Sequence, residues 1–168
     1  MFELYSKNNK IPDNIAKIIH EILIDNLINR EENIGKERKD FTNDEIYNKW
    51  LNMLRNENDY YILVYYYNNE IVAFINYSYM NKGLCLCEVQ IKREYQGKYN
   101  ILRYMINHIL NTTDRSKYNN VCGTIGNNQR SKDVFTHIGM KHTIGHFYEI
   151  SVGDLEKWIN KYGKVKER

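Results

Sequence analysis

Tyr95-Gln96-Gly97-Lys98-Tyr99-Asn100 stands between an apolar run, Leu84 to Ile91, and a run of helical periodicity that begins at Ile101. A loop feeding a helix N-terminus offers unpaired backbone N–H groups and the positive end of the helix dipole, and such a place binds phosphate. Other chemistry is thinly represented. No Ser-His-Asp or Cys-His nucleophile pattern is visible. Cys85 and Cys87 alternate with Leu84 and Leu86, and no Cys/His pair elsewhere stands at zinc spacing. They read as small buried residues rather than ligands, so no metal is expected.

The elements that must position this loop follow from periodicity. Leu84 to Ile91 predicts a strand bounded by Gly83 and by Lys92-Arg93-Glu94. Ile101, Leu102, Met105, Ile106, Ile109 and Leu110 share one face of a 3.6-residue period, which predicts a helix ending near Asn111. Upstream, Phe2 to Ser6 reads as a short strand and Ile11 to about Ile28 as a helix with Pro12 in its first turn. Arg30 to Asp40 reads as a charged loop. Thr42 and Glu45 match a capping box for a second helix carrying Ile46, Trp50, Met53 and Leu54. Tyr60 to Tyr67 and Ile71 to Tyr79 predict a hairpin joined by Asn68-Asn69-Glu70, and Asn81-Lys82-Gly83 turns into the next strand. Downstream come a strand over Tyr118 to Ile125 and a short helix opened by Gly126-Asn127-Asn128 and ended by Gly139. One or two closing strands follow within Lys141 to Ser151. A last helix carries Leu155, Trp158, Ile159 and Tyr162, and the tail from Lys164 to Arg168 is charged.

The chain has 168 residues, enough for one domain over residues 1–168 with one substantial core. A net charge of +3, from 24 basic and 21 acidic residues spread along the chain, does not argue for nucleic acid. The tyrosines at 60, 61, 65, 66, 67, 77 and 79 lie on both strand faces without a basic stripe, so they read as packing rather than base-stacking groups. No run reaches the length of a membrane span, and the start lacks a secretory apolar core. With three cysteines, an odd count, these features point to a cytoplasmic protein with reduced thiols.

The strand-loop-helix stretch resembles the acetyl-CoA loop of the GNAT superfamily of N-acetyltransferases. That loop has the form V-x-P-x-Y-x-G-K-G-x-G, with a core Q/R-x-x-G-x-G/A. Ile91, Tyr95, Gln96, Gly97 and Lys98 match it, while Tyr99 and Ile101 stand where the two core glycines belong. A frame shifted by two places Gly97 on the first glycine but loses Gln96, and the unshifted frame is preferred. A second run, Asn128 to Met140, is similar to the family's N-x-x-A-x-x-L-Y-x-x-x-G-F. Asn128, Val134, Gly139 and Met140 are at the expected spacing, Ser131 stands in place of Ala, and Phe135 in place of Tyr.

The resemblance implies an α/β fold: a central mixed sheet flanked by helices, with two parallel strands splayed to admit the pantetheine arm. A bulge at Cys87-Glu88 is expected there, because Leu86 and Val89 otherwise point to opposite faces. The implied activity is acetyl-CoA-dependent N-acetylation of a primary amine on a small molecule or protein, by direct attack on the thioester. It implies that N–H groups of Lys98, Tyr99, Asn100 and Ile101 hold the pyrophosphate. A backbone N–H near Val89, Gln90 or Ile91 polarises the thioester oxygen. Gln96, Gly97, Asn128, Ser131 and Phe135 complete the expected cofactor contacts. Glu88 is the best-placed general base, with His146 and Tyr148 as weaker acid or base candidates. Phe135 cannot supply the acid that the family's tyrosine often does. A non-catalytic acyl-CoA-binding or partner-binding module with the same fold is the alternative. The expected partners are acetyl-CoA and an amine acceptor, with no nucleic acid and no membrane, in a monomer or homodimer. Tyr99 is expected at negative φ with its ring outward, lying against the cofactor or covering the loop.

Overall fold

The computed structural model describes residues 1–81, 83–125 and 128–161. Lys82, Gly126, Asn127, Tyr162 and the tail from Lys164 to Arg168, all assigned above, lie outside the described residues. Strand β1 (Phe2–Tyr5) is followed by helices α1 (Asp13–Ile28) and α2 (Asp44–Asn56). A meander of β2 (Tyr60–Tyr67), β3 (Glu70–Met80) and β4 (Gly83–Ile91) comes next. Helix α3 (Ile101–Thr112) crosses to β5 (Asn120–Thr124). Then come α4 (Gln129–Ile138), β6 (Lys141–His142), β7 (Phe147–Ser151) and α5 (Val152–Asn160).

The strands form one seven-stranded sheet in the order β1-β2-β3-β4-β5-β7-β6. Only the β4–β5 pair is parallel, as a strand-helix-strand crossover requires. Asn68 and Asn69 take φ of 49° and 62° at the β2–β3 turn, the left-handed pair that a two-residue hairpin needs and that asparagine tolerates.

Strand alternation sends residues to two cores. On one face, Leu63, Ile75, Leu84 and Leu86 pack under Ile101, Met105 and Ile109 of α3, with Ile138 and Leu155 completing the layer. On the other, Ile62, Val64 and Phe74 pack under Ile19 and Leu23 of α1 and Leu54 of α2. Each such aliphatic side chain contributes roughly 1.5–3 kcal/mol by leaving water.

Two local expectations are corrected. The α2 cap is Asn43, not Thr42: the Asn43 Oδ1 accepts from the Ile46 N–H at 2.9 Å. Asn43 is extended, with φ −145°, and asparagine caps at least as well as threonine. Pro12 is the residue before the first turn of α1 rather than part of it. The charged stretch before α2 carries two short 3-10 turns, Glu31–Asn33 and Arg38–Asp40.

Candidate functional site

β4 and β5 pair only from Gly83↔Asn120 to Leu86↔Gly123. Beyond Leu86 they part. On its other side β4 stays paired to β3, but with a register shift: Tyr77 faces Leu86 and Asn76 faces Glu88, leaving Cys87 unmatched. The expected bulge is therefore at Cys87. It lets Leu86 and Val89 both pack on the α3 side. Past the bulge, Glu88 to Ile91 have no partner strand on the β5 side among the described residues, so alternate backbone groups of this edge face the gap.

The loop beyond β4 is a compact turn. Tyr95 N–H donates to the Lys92 carbonyl at 2.9 Å and Lys98 N–H to the Tyr95 carbonyl at 3.2 Å. The Lys98 N–H is thus engaged, and what Lys98 has left to offer an anion is its ammonium. Tyr99, Asn100 and Ile101 donate to no backbone carbonyl among the described residues. The first turn of α3 holds no acidic residue and no side-chain cap. Its free N–H groups and dipole are therefore open to an anion.

Tyr99 corrects an expectation. Its φ is +57°, and Asn100 follows at +53°. A left-handed tyrosine costs about 1–2 kcal/mol. The residue is 52% exposed, and its ring stacks on Tyr67 with centroids 4.9 Å apart and lies 6.2 Å from Tyr95. Such aromatic pairs contribute about 0.5–1.5 kcal/mol each, which offsets the backbone cost and covers the loop.

Gln96 turns inward. Its Nε2 donates to the Ile91 carbonyl at 2.7 Å and to Asn26 Oδ1 at 3.1 Å. Asn26 Nδ2 in turn donates to Gln90 Oε1 at 2.8 Å and to the Ile91 carbonyl at 3.0 Å. Gln90 Nε2 donates to Glu88 Oε1. A hydrogen-bonded relay thus ties the loop, α1 and Glu88 together. Asn26 was missed in the sequence. The signal was there: it falls on the buried stripe of α1 that carries Ile19, Ile22 and Leu23, and a polar residue on such a stripe needs partners.

Glu88 is half-buried on the α1 face. Loss of water pushes its carboxyl above the ordinary carboxylate range, against the Gln90 hydrogen bond and the Arg30 charge, which pull it down. Tyr60, Asn76, Ser78 and Cys87 stand on the same face. Burial, with the nearby Cys87 and Glu88 charges, pushes the Tyr60 hydroxyl up.

Tyr148 lies on the opposite face. It is in register with Gly123 and meets the Phe135 ring edge-on at 5.9 Å. Phe135 fills the base of the gap: a Cβ on Gly123 would come within 2.6 and 2.8 Å of its ring, so only glycine fits there. Asn128 caps α4, its Oδ1 accepting from the Ser131 N–H at 3.2 Å. The His146 ring is exposed, and its carbonyl accepts from the Ile125 N–H at 2.9 Å. The structure therefore brings Glu88 to one mouth of the gap and Tyr148 with Phe135 to the other, and leaves the His146 ring in solvent. Among the described residues no group of three or more His, Cys, Asp or Glu could hold a metal, and no helix is long and apolar enough to cross a membrane.

This architecture, a mixed sheet parted beside a bulge and followed by a loop and an uncapped helix, is the fold of the GNAT acetyltransferases. Neither protein-family models nor curated proteins match the sequence. Solved structures do match its fold. The PaiA N-acetyltransferase from Thermoplasma acidophilum, in complex with coenzyme A, superposes with TM-score 0.67 at 14% identity over 90% of this chain and 98% of that one. A GNAT-family acetyltransferase from Staphylococcus aureus Mu50 gives 0.60 at 14% identity, over 90% and 99%. The Campylobacter jejuni N-acetyltransferase PseH, in complex with acetyl coenzyme A, gives 0.56 at 13%, over 90% and 98%.

Proposed function

We propose that the chain is an acetyl-CoA-dependent N-acetyltransferase that passes the acetyl group directly to a primary amine of a small molecule or protein. The observation that carries this reading is the opening of β4 from β5 at the Cys87 bulge, in line with an uncapped helix N-terminus. The open N–H groups of Tyr99, Asn100 and Ile101, with the Lys98 ammonium, hold the pyrophosphate. The edge of Val89 to Ile91, on which the Ile91 carbonyl is already held by Gln96 and Asn26, receives the pantetheine arm as an added strand, and an N–H of that edge polarises the thioester oxygen. Coenzyme A complexes of neighbours with this fold support the choice of co-substrate.

The amine enters from the α1 face, where Glu88 takes its proton. A carboxyl whose pKa is raised toward working pH suits a general base. The coenzyme A thiolate leaves on the other face, where Tyr148 stands beside Phe135 and supplies a hydroxyl that Phe135 lacks. Gln96, Gly97, Asn128 and Ser131 shape the cradle rather than touch the phosphates: Gln96 by its inward amide, Gly97 by its φ of 72°, Asn128 and Ser131 as the α4 cap.

Acetyl-CoA is expected to raise the melting temperature, while acetate or adenine alone leaves it unchanged. No shift at millimolar acetyl-CoA with the protein folded overturns the reading. Phe135 favours one alternative, a non-catalytic acyl-CoA-binding module. Release of free coenzyme A thiol across a panel of amines separates the two, since a binding module shifts in melting temperature but releases none.

A further inference from the structure

The α1 face of the gap carries nucleophiles that the reading above leaves unused. Cys85 and Cys87 of β4 and Cys122 of β5 are all free thiols. Cys85 and Cys122 stand in direct register across the parallel pair. Cys85 is buried, whereas Cys87 and Cys122 are half-buried. The expectation of small buried residues holds for Cys85, while Cys87 is only half-buried.

Cys87 is the unmatched residue of the bulge, at the point where β4 leaves β5. Its Sγ lies 3.4 Å from Ser78 Oγ and 3.6 Å from the Cys85 carbonyl oxygen. Opposite the bulge on β3, Asn76 is 1% exposed, and neither atom of its amide has a hydrogen-bond partner. A buried orphan amide is rare, because it forfeits about 1–3 kcal/mol. It leaves a donor and an acceptor at the bulge with no well-formed hydrogen bond among the described residues, the Tyr60 hydroxyl being the polar group within reach. The adjoining Cys85 and the Ser78 hydroxyl draw the Cys87 thiol below its usual range, against burial and the Glu88 charge. A lowered thiol pKa raises the thiolate fraction, and the thiolate is the nucleophile.

We propose that Cys87 is a covalent acetyl acceptor: with no amine bound, its sulfur takes the acetyl group from acetyl-CoA. This rests on the reading of the gap as an acetyl-CoA site. The Cys87 sulfur bonds to the acetyl carbonyl carbon, and the bond from that carbon to the coenzyme A sulfur breaks. Coenzyme A leaves as a thiolate and gains the proton that Cys87 gave up. One thioester replaces another without oxidant or reductant, so the step runs backward in excess coenzyme A. The acetyl group then occupies the mouth through which the amine enters, and self-acetylation competes with turnover when acceptor is scarce.

The test is intact-mass and peptide analysis of the full chain after incubation with acetyl-CoA alone. One acetyl group per chain is expected on Cys87, removed by neutral hydroxylamine and by excess coenzyme A. It is absent from Cys87→Ala and retained in Cys122→Ala. An acetyl-CoA melting shift with no adduct overturns the proposal and leaves the reading of the gap standing. An adduct that survives hydroxylamine, or that persists in Cys87→Ala, is an amide or another cysteine and also overturns it. Absence of both shift and adduct overturns the acetyl-CoA reading and the proposal with it.

Discussion

At the scale of single residues, Glu88 and Tyr99 carry the sharpest consequences. Glu88→Gln keeps the shape and the Gln90 contact but removes basicity. Its kcat/KM is expected to fall about 10²–10⁴-fold, with the acetyl-CoA melting shift intact. The loss should shrink as pH rises and more of the amine arrives neutral. Because burial raises the Glu88 pKa in the folded chain, Glu88 adds stability that is fully present below the unfolded carboxyl value, about 4.3. That stability is lost as pH rises through the folded value. The melting temperature of Glu88→Gln relative to wild type should therefore improve from acid to neutral pH, and a constant offset would show that Glu88 titrates normally. Tyr99→Gly removes a left-handed side chain and a stacking partner together. These oppose each other at about 1 kcal/mol each, so acetyl-CoA affinity by calorimetry should change less than tenfold. A hundredfold gain would make the ring a plug over the cradle.

At the scale of elements, Asn26 joins α1 to the end of β4 and to the loop. Asn26→Leu leaves Gln90, Gln96 and the Ile91 carbonyl short of partners in a partly buried place, at a cost of about 1–3 kcal/mol. Urea unfolding should show that loss. Acetyl-CoA binding should weaken as well, because the loop loses its tether; unchanged affinity would separate the relay from the site. Asn26 also marks where reading from sequence ran out. The strand to Ile91 and the helix from Ile101 were legible, because alternation and helical period are local properties, while the bulge between Leu86 and Val89 came from the family resemblance, with an alternation that permits it. The partner of a polar residue on a buried stripe is not local. Nor is the meeting of Cys85 with Cys122, which only the β4–β5 register creates. The sign of φ at Tyr99 was misjudged for the same reason: Tyr67, which holds the ring, comes from another strand. The cap of α2 fell one residue from its expected place, within the ordinary slack of helix boundaries.

At the scale of the whole molecule, the two cores set the chemistry. α1 and α2 cover one face and α3, α4 and α5 the other, so a gap between β4 and β5 has two separate mouths. Glu88 belongs to the first face, and Tyr148 with Phe135 to the second. In the proposed reaction, proton removal from the amine and protonation of the departing thiolate fall to groups on opposite faces of the sheet. That separation predicts independent effects. Tyr148→Phe should lower kcat about tenfold or more if its hydroxyl donates to the thiolate, while leaving the KM for the amine unchanged. Phe135→Tyr in that background returns a hydroxyl to the same mouth, since the two rings meet edge-on at 5.9 Å, and should recover part of the loss. Combined with Glu88→Gln, Tyr148→Phe should multiply its effect, because the two groups act on different atoms and share no contact. Equal rates for wild type and Tyr148→Phe would mean that coenzyme A leaves unprotonated from this site. Loss of amine affinity in Tyr148→Phe would mean that the acceptor reaches through the gap to the second face.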